Sequence, residues 1–128
     1  MSGRLARSFN ELEVYQLALS LATDLFERTR SWPREERYAL TSQLRRASRS
    51  IGASIAEAWG KRNYPRYFMS KLTEADSEQL ETRHWIAVAA NCGYLSRADA
   101  EEFLDRLSVI GKMLNRMLEK ADQFCRTP

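Results

Sequence analysis

Turn-forming residues are scarce: the chain of 128 residues holds 5 glycines and 3 prolines. That is too little turn chemistry for a sandwich or barrel of many short strands. Long hydrophobic runs are also missing, and none approaches the roughly 20 residues that a membrane span requires. The opening stretch, Met1-Ser-Gly-Arg-Leu-Ala-Arg7, lacks the apolar centre of a signal peptide. The expected compartment is the cytosol, with no membrane partner. Cysteine is limited to Cys92 and Cys125, which neither form a disulfide framework nor fall at zinc-ligand spacing. Both are expected to be reduced thiols. What is present is 44% hydrophobic and 29% charged, the composition of a folded globular domain. The length fits one domain over residues 1–128, with 1–8 read as a flexible arm.

Hydrophobic periodicity predicts four helices and no strand. The first opens at Asn10, where Asn10 and Glu13 have capping-box spacing and Phe9 can staple onto Val14. Leu12, Tyr15, Ala18, Leu19, Ala22, Leu25 and Phe26 then follow a helical stripe, widened by Leu17 and Leu21. The second runs from the region of Tyr38 to Thr41 as far as Trp59, with Gly60 as stop signal. Its core stripe is Leu40, Leu44, Ala47, Ile51, Ile55 and Ala58. Ser48, Gly52, Ala53 and Ala56 form a second, small-residue face. Gly52 costs about 1 kcal/mol relative to alanine in a helix interior, which a close-packed neighbour would explain.

The third helix starts at Pro65, a residue suited to a first turn, and ends near Asn91 with Gly93 as a left-handed cap. The fourth opens at Ser96, with Asp99 three residues on, and reaches about Phe124. Four helices joined by short links make an all-α, antiparallel up-down-up-down four-helix bundle. In that fold Cys92 and Cys125 mark opposite ends of the fourth helix, on the order of 40 Å apart. A disulfide, which needs Cα atoms within about 7 Å, is excluded.

Catalytic signals are weak. Glu81-Thr-Arg-His84 has the Glu-x-x-His spacing of di-iron bundles, but that site needs a second such pair; His84 is the only histidine, so one chain cannot complete it and only symmetric pairing of two chains could. No glycine-rich phosphate loop follows a strand, and no nucleophile has an evident base. Neither an enzyme activity, nor a metal, nor a cofactor is expected.

Charge is distributed unevenly. Residues 41–71 carry Arg45, Arg46, Arg49, Lys61, Arg62, Arg66 and Lys71 against a single acid, Glu57, a net charge of +6. The remainder is net −3, although the whole chain is only +3. Such asymmetry suits a polyanion, and equally a solvated basic face or a surface pairing with another subunit. Guanidinium groups clamp phosphates bidentately, and aromatic rings stack on unpaired bases. Of the interleaved aromatics, Tyr67 and Phe68 fall on or beside the core stripe, leaving Tyr64 as the candidate for stacking. Glu57 is expected to pair with Arg62, or with Arg45 or Arg46 of a neighbouring subunit.

Several strings resemble one family. Phe9-Asn-Glu-Leu-Glu-Val-Tyr-Gln, Glu35-Glu-Arg-Tyr-Ala-Leu-Thr-Ser-Gln-Leu-Arg-Arg-Ala, Ser50-Ile-Gly-Ala-Ser-Ile-Ala-Glu-Ala-Trp-Gly, Glu81-Thr-Arg-His-Trp and Gly93-Tyr-Leu-Ser are similar to the blocks of a four-helix-bundle family. That family includes the proteins encoded in intervening sequences of bacterial 23S ribosomal RNA genes. Gly52, Ser54 and Ala58 depart from its frequent Pro, Asn and Gly. The resemblance implies a homopentameric ring without enzyme activity, for which nucleic-acid binding is the usual suggestion. Tyr38, Thr41, Gln43, Gly52 and Glu57 are then expected at a subunit interface. Arg45, Arg46, Arg49, Lys61, Arg62 and Arg66 are expected to contact RNA or another nucleic acid. A scaffold or accessory role, with the basic face meeting a subunit or a partner protein, is the alternative.

Overall fold

The computed structural model describes residues 6–125. Its long helices are α1 (Glu13–Thr29), α2 (Leu40–Gly60), α3 (Pro65–Asn91) and α4 (Arg97–Glu119), followed by a short α5 (Ala121–Phe124). Single 3-10 turns at Phe9–Glu11 and Arg34–Glu36 precede α1 and α2. Helix α2 packs on α1 and α3, and α4 packs on α3 and α1, which closes the expected four-helix bundle.

The expected core stripe of α2 is buried at every position, from Leu40 through Ala58. The stripe of α1 is rotated from the expected one. Val14, Ala18, Leu21 and Leu25 are its buried apolar residues, whereas Leu19 is 53% exposed. Leu17, Leu19 and Leu21 make α1 apolar on more than one side, so sequence spacing alone does not fix which side turns inward. The start of α1 also differs. Leu12 takes an extended conformation at the N-cap and Asn10 lies inside the 3-10 turn, so no capping box forms. Phe9 instead packs edge-on against Tyr15, ring centroids 4.8 Å apart.

Two helix ends follow their signals. Gly93 has φ +82° and completes a Schellman cap on α3, with Gly93 N–H donating to Ala90 O at 3.0 Å and Tyr94 N–H to Ala89 O at 2.9 Å. Ser96 Oγ accepts from Asp99 N at 3.1 Å and opens α4. Helix α4 stops sooner than expected, because Lys120 leaves helical geometry and redirects the chain. The following turn brings Phe124 against Trp59 and Phe68, at centroid distances of 6.1 and 6.2 Å, sealing that end of the core.

Residues 1–5 of the expected arm lie outside the described residues. Within residues 6–8, Ala6 packs against the core, and Arg7 N–H donates to Glu11 Oε1 at 3.1 Å. Cys92 is exposed and Cys125 buried, both as free thiols. No helix among the described residues is long and apolar enough to cross a membrane.

Candidate nucleic-acid interface

The end of α1, the Arg34–Glu36 turn and the first turns of α2 meet at one end of the bundle. Phe26, expected in the core, is instead half-buried there. Three guanidinium groups surround its ring: Arg45 at 4.7 Å, Arg49 at 5.5 Å and Arg30 at 5.8 Å from the centroid. Arg45 and Arg49 come from successive turns of α2, and Arg30 follows α1. An aromatic face attracts cations through its quadrupole, so Phe26 offsets part of the repulsion among them.

Arg45 is held most firmly. Its Nε donates to Thr29 Oγ1 at 2.8 Å, and that hydroxyl in turn donates to Phe26 O at 3.0 Å. Burial lowers the Arg45 pKa from its ordinary value, and repulsion from Arg49 and Arg30 lowers it further.

Two adjoining concavities share this cluster. One, of about 420 Å³, is lined by Arg30, Arg34, Arg37 and Arg45, with Thr41 and Trp32 in its wall. The other, of about 440 Å³, is lined by Arg37, Arg45, Arg46 and Arg49. No acidic residue lines either. Of the acids nearest in sequence, Glu36 is turned to other work. It accepts from Tyr94 Oη at 2.9 Å and from Leu40 N–H at 3.4 Å. Glu27 lies 3.4 Å from Arg30 in an exposed pair, an interaction of small worth in water.

The residues expected to bind nucleic acid therefore divide. Arg45 and Arg49 belong to the cluster. Arg46 does too, but its Nη2 donates to Glu81 Oε2 at 2.9 Å, so its charge is countered within the chain. Lys61, Arg62 and Arg66 belong to the opposite end of α2, since the sixteen residues from Arg45 to Lys61 span about 24 Å. There the Arg62 guanidinium sits 4.4 Å from the Trp59 ring centroid and donates to Trp59 O at 2.9 Å. It closes the end of the helix. Lys61 and Arg66 are exposed. Arg30, Arg34 and Arg37 were not among the expected contacts. Their signal in the sequence is masked by Glu27, Glu35 and Glu36, which offset most of the basic charge of this stretch.

The expected interface residues also divide. Tyr38 is 85% exposed and Gln43 partly exposed. Thr41 is buried within its own chain. Gly52 is likewise buried, against Tyr15 and Ala18 of α1, so the close neighbour expected for it lies in the same protomer. Glu57 is exposed and, within the chain, pairs with Lys71 Nζ at 3.1 Å and not with Arg62. The hydrogen bonds to Glu57 and Glu74 hold the Lys71 pKa above its ordinary value, which removes Lys71 from the free basic charge. Tyr64 is 65% exposed, as a stacking residue would be, and Phe68 is buried, but Tyr67 is 42% exposed and not in the core.

The Glu-x-x-His string gathers no metal site. Glu81 Oε2 is occupied by Arg46 and by Trp85 Nε1, which donates at 3.0 Å, while exposed His84 packs edge-on against the Trp85 ring. Among the described residues no three metal-ligating side chains come together.

Comparison with curated proteins finds no match. Among solved structures, the chain is similar to a protein of unknown function from the S23 ribosomal protein family of Bacteroides thetaiotaomicron. The two superpose with a TM-score of 0.75 at 25% identity, over 83% of this chain and 95% of that one. Residues 10–116 match the model of the family described as 23S rRNA-intervening sequence protein. A match over that much of the chain, on the same helical fold, means that this protein belongs to the 23S rRNA-intervening sequence protein family.

Proposed function

We propose that this protein is a non-enzymatic homo-oligomer, pentameric as the family resemblance implies, whose arginine cluster at the start of α2 binds RNA or another nucleic acid. One observation carries the binding half of this reading. Six arginines, Arg30, Arg34, Arg37, Arg45, Arg46 and Arg49, line two adjoining concavities whose walls contain no acid. Guanidinium groups match phosphate oxygens bidentately, and a groove of cations tracks a charged backbone. Exposed Tyr38, which lies beside Arg37 with 5.7 Å from guanidinium to ring centroid, offers a face for an unpaired base.

The assembly half rests on exposed apolar side chains, among them Leu19 of α1, and on a groove over Gly52 lined by Leu19, Ala22, Ala53 and Ala56. Single exposed apolar residues are ordinary, but a lined groove suits a packed neighbour. The same groove favours a second reading, a scaffold that binds a protein and no nucleic acid.

An RNA mobility shift across a salt series tests the choice. Arg34→Glu/Arg49→Glu reverses two exposed cations that make no hydrogen bond among the described residues, so the bundle itself remains. The expected result is at least a tenfold loss of affinity, with a salt slope flatter by about 1 for each phosphate no longer bound. The reversal Lys61→Glu, at the far end of α2, is expected to have a much smaller effect. Equal affinities for all three proteins, or none at all, would leave the scaffold reading in its place.

A further inference from the structure

The two concavities differ in what lies behind the arginines. In the one lined by Arg30, Arg34, Arg37 and Arg45, the wall also contains Thr41 and Trp32. Thr41 is only 6% exposed, its Oγ1 is shut off from solvent, and it has no hydrogen-bond partner. Trp32 Nε1 is buried and unpartnered in the same way. A buried donor left without an acceptor is destabilising. Both can donate. Four guanidinium groups line a wall that holds no acid, and two unpartnered donors lie within the residues of that wall. The exposed Arg34 and Arg37 side chains make no hydrogen bond among the described residues and are free to fold over a ligand.

We propose that this concavity holds the terminal phosphate of a nucleic-acid strand, clasped by Arg30, Arg34, Arg37 and Arg45, while the adjoining concavity takes the next phosphate of the same strand. The inference rests on the nucleic-acid reading above and narrows it to strand ends. An internal phosphodiester carries one negative charge and gives two of its oxygens to ester bonds. A terminal phosphate carries nearly two charges at neutral pH and presents three free oxygens, which suits several forked donors converging on one point. The second concavity shares Arg37 and Arg45 with the first and adds Arg46 and Arg49, so the basic lining continues in one direction for the following nucleotide. An isolated small anion would have no use for that continuation.

Two measurements test the proposal. Inorganic phosphate is titrated into the protein and followed by phosphorus NMR and calorimetry. Short single-stranded RNAs of one sequence, bearing a phosphate at the 5′ end, at the 3′ end or at neither, are compared by fluorescence anisotropy. Phosphate is expected to bind. One of the phosphorylated RNAs is expected to bind about tenfold more tightly than the unphosphorylated one, and to lose that advantage below pH ~6, where the second phosphate charge is neutralised. Arg34→Gln/Arg37→Gln should abolish phosphate binding and the end preference together, while Lys61→Gln leaves both unchanged. Circular dichroism confirms that the variants remain helical, and if the double variant does not, Arg34→Gln alone decides the point. Tight RNA binding with no preference for a phosphorylated end overturns this inference and leaves the wider nucleic-acid reading standing. Phosphate binding at Arg34 and Arg37 without RNA binding overturns both the strand-end assignment and the wider reading. A phosphoserine peptide that binds as tightly as the end-phosphorylated RNA overturns the assignment to nucleic acid.

Discussion

Glu36 ties three parts of the molecule together. Its two carboxylate oxygens accept from Leu40 N–H, at the start of α2, and from Tyr94 Oη, just beyond α3. No side chain caps α2 at Ala39, so Glu36 supplies the acceptor that the first turn lacks. The tyrosine donates to an ionised acceptor, and its pKa is raised to about 12, first by that hydrogen bond and then by burial. A folded-state pKa above the ordinary value of 10 means that the contribution to stability is complete below pH ~10 and is lost as pH rises through about 12. Chemical denaturation between about pH 9 and 12 should show this loss in the wild type, and Tyr94→Phe should have a smaller one. Gly52 permits a second test at the same scale. A Cβ placed there would meet Tyr15 Cε1 at 3.4 Å, an ordinary contact. Alanine also gains about 1 kcal/mol of helix propensity over glycine. With little steric cost against that gain, Gly52→Ala should raise the midpoint of thermal unfolding by a few degrees. A lowered midpoint would mean that something outside the protomer presses on this position.

Among the elements, legibility follows the contrast between faces. Helix α2 alternates sharply between apolar residues and arginines, and spacing alone picks out its whole buried stripe from Leu40 to Ala58. Helix α1 has leucines at 17, 19 and 21, and its buried edge falls on Val14 and Leu21 where spacing favours Tyr15 and Leu19. Caps carried by one specific residue, Gly93 and Ser96, are legible, since each depends on local chemistry. The early end of α4 is not, because Lys120 is an ordinary helix former and only the long-range packing of Phe124 on Trp59 and Phe68 redirects the chain. The candidate site shows the same division. Arg45 and Arg49 are visible as cations one turn apart on a helix poor in acids. In Arg34-Glu35-Glu36-Arg37 the charges cancel along the chain and separate only in space, once Glu36 turns toward Tyr94 and the arginines toward the cavity. Lys71 and Arg46 err in the other direction: they count as free charge in sequence but face Glu57 and Glu81 across the α2–α3 contact.

At the scale of the whole molecule, charge is sorted by place. The seam between α1 and α4 is balanced by Arg28 with Asp99 and Arg106 with Asp24, whereas the arginine cavities at the start of α2 have no acids in their walls. On a single chain the proposed site occurs once. In a closed ring it recurs once per subunit, and a strand that reaches two copies gains from effective concentration alone, by factors that run to about 10²–10⁴. The proposed assembly and the proposed binding therefore make one joint prediction. Leu19→Glu places a charge on an exposed position that lines the groove over Gly52 and neither arginine concavity, with no change to a buried side chain. Light scattering should find the wild type at a multiple of 14.8 kDa and the variant shifted toward the single-chain mass. The variant should keep its helicity, and its affinity for an RNA long enough to bridge two clusters should fall by roughly tenfold or more. Affinity for an RNA too short to bridge should change far less, because each cluster is intact. A wild type of single-chain mass would remove the assembly half of the proposal. A variant that dissociates yet binds long RNA undiminished would show that one cluster suffices, and that the ring serves some purpose other than avidity.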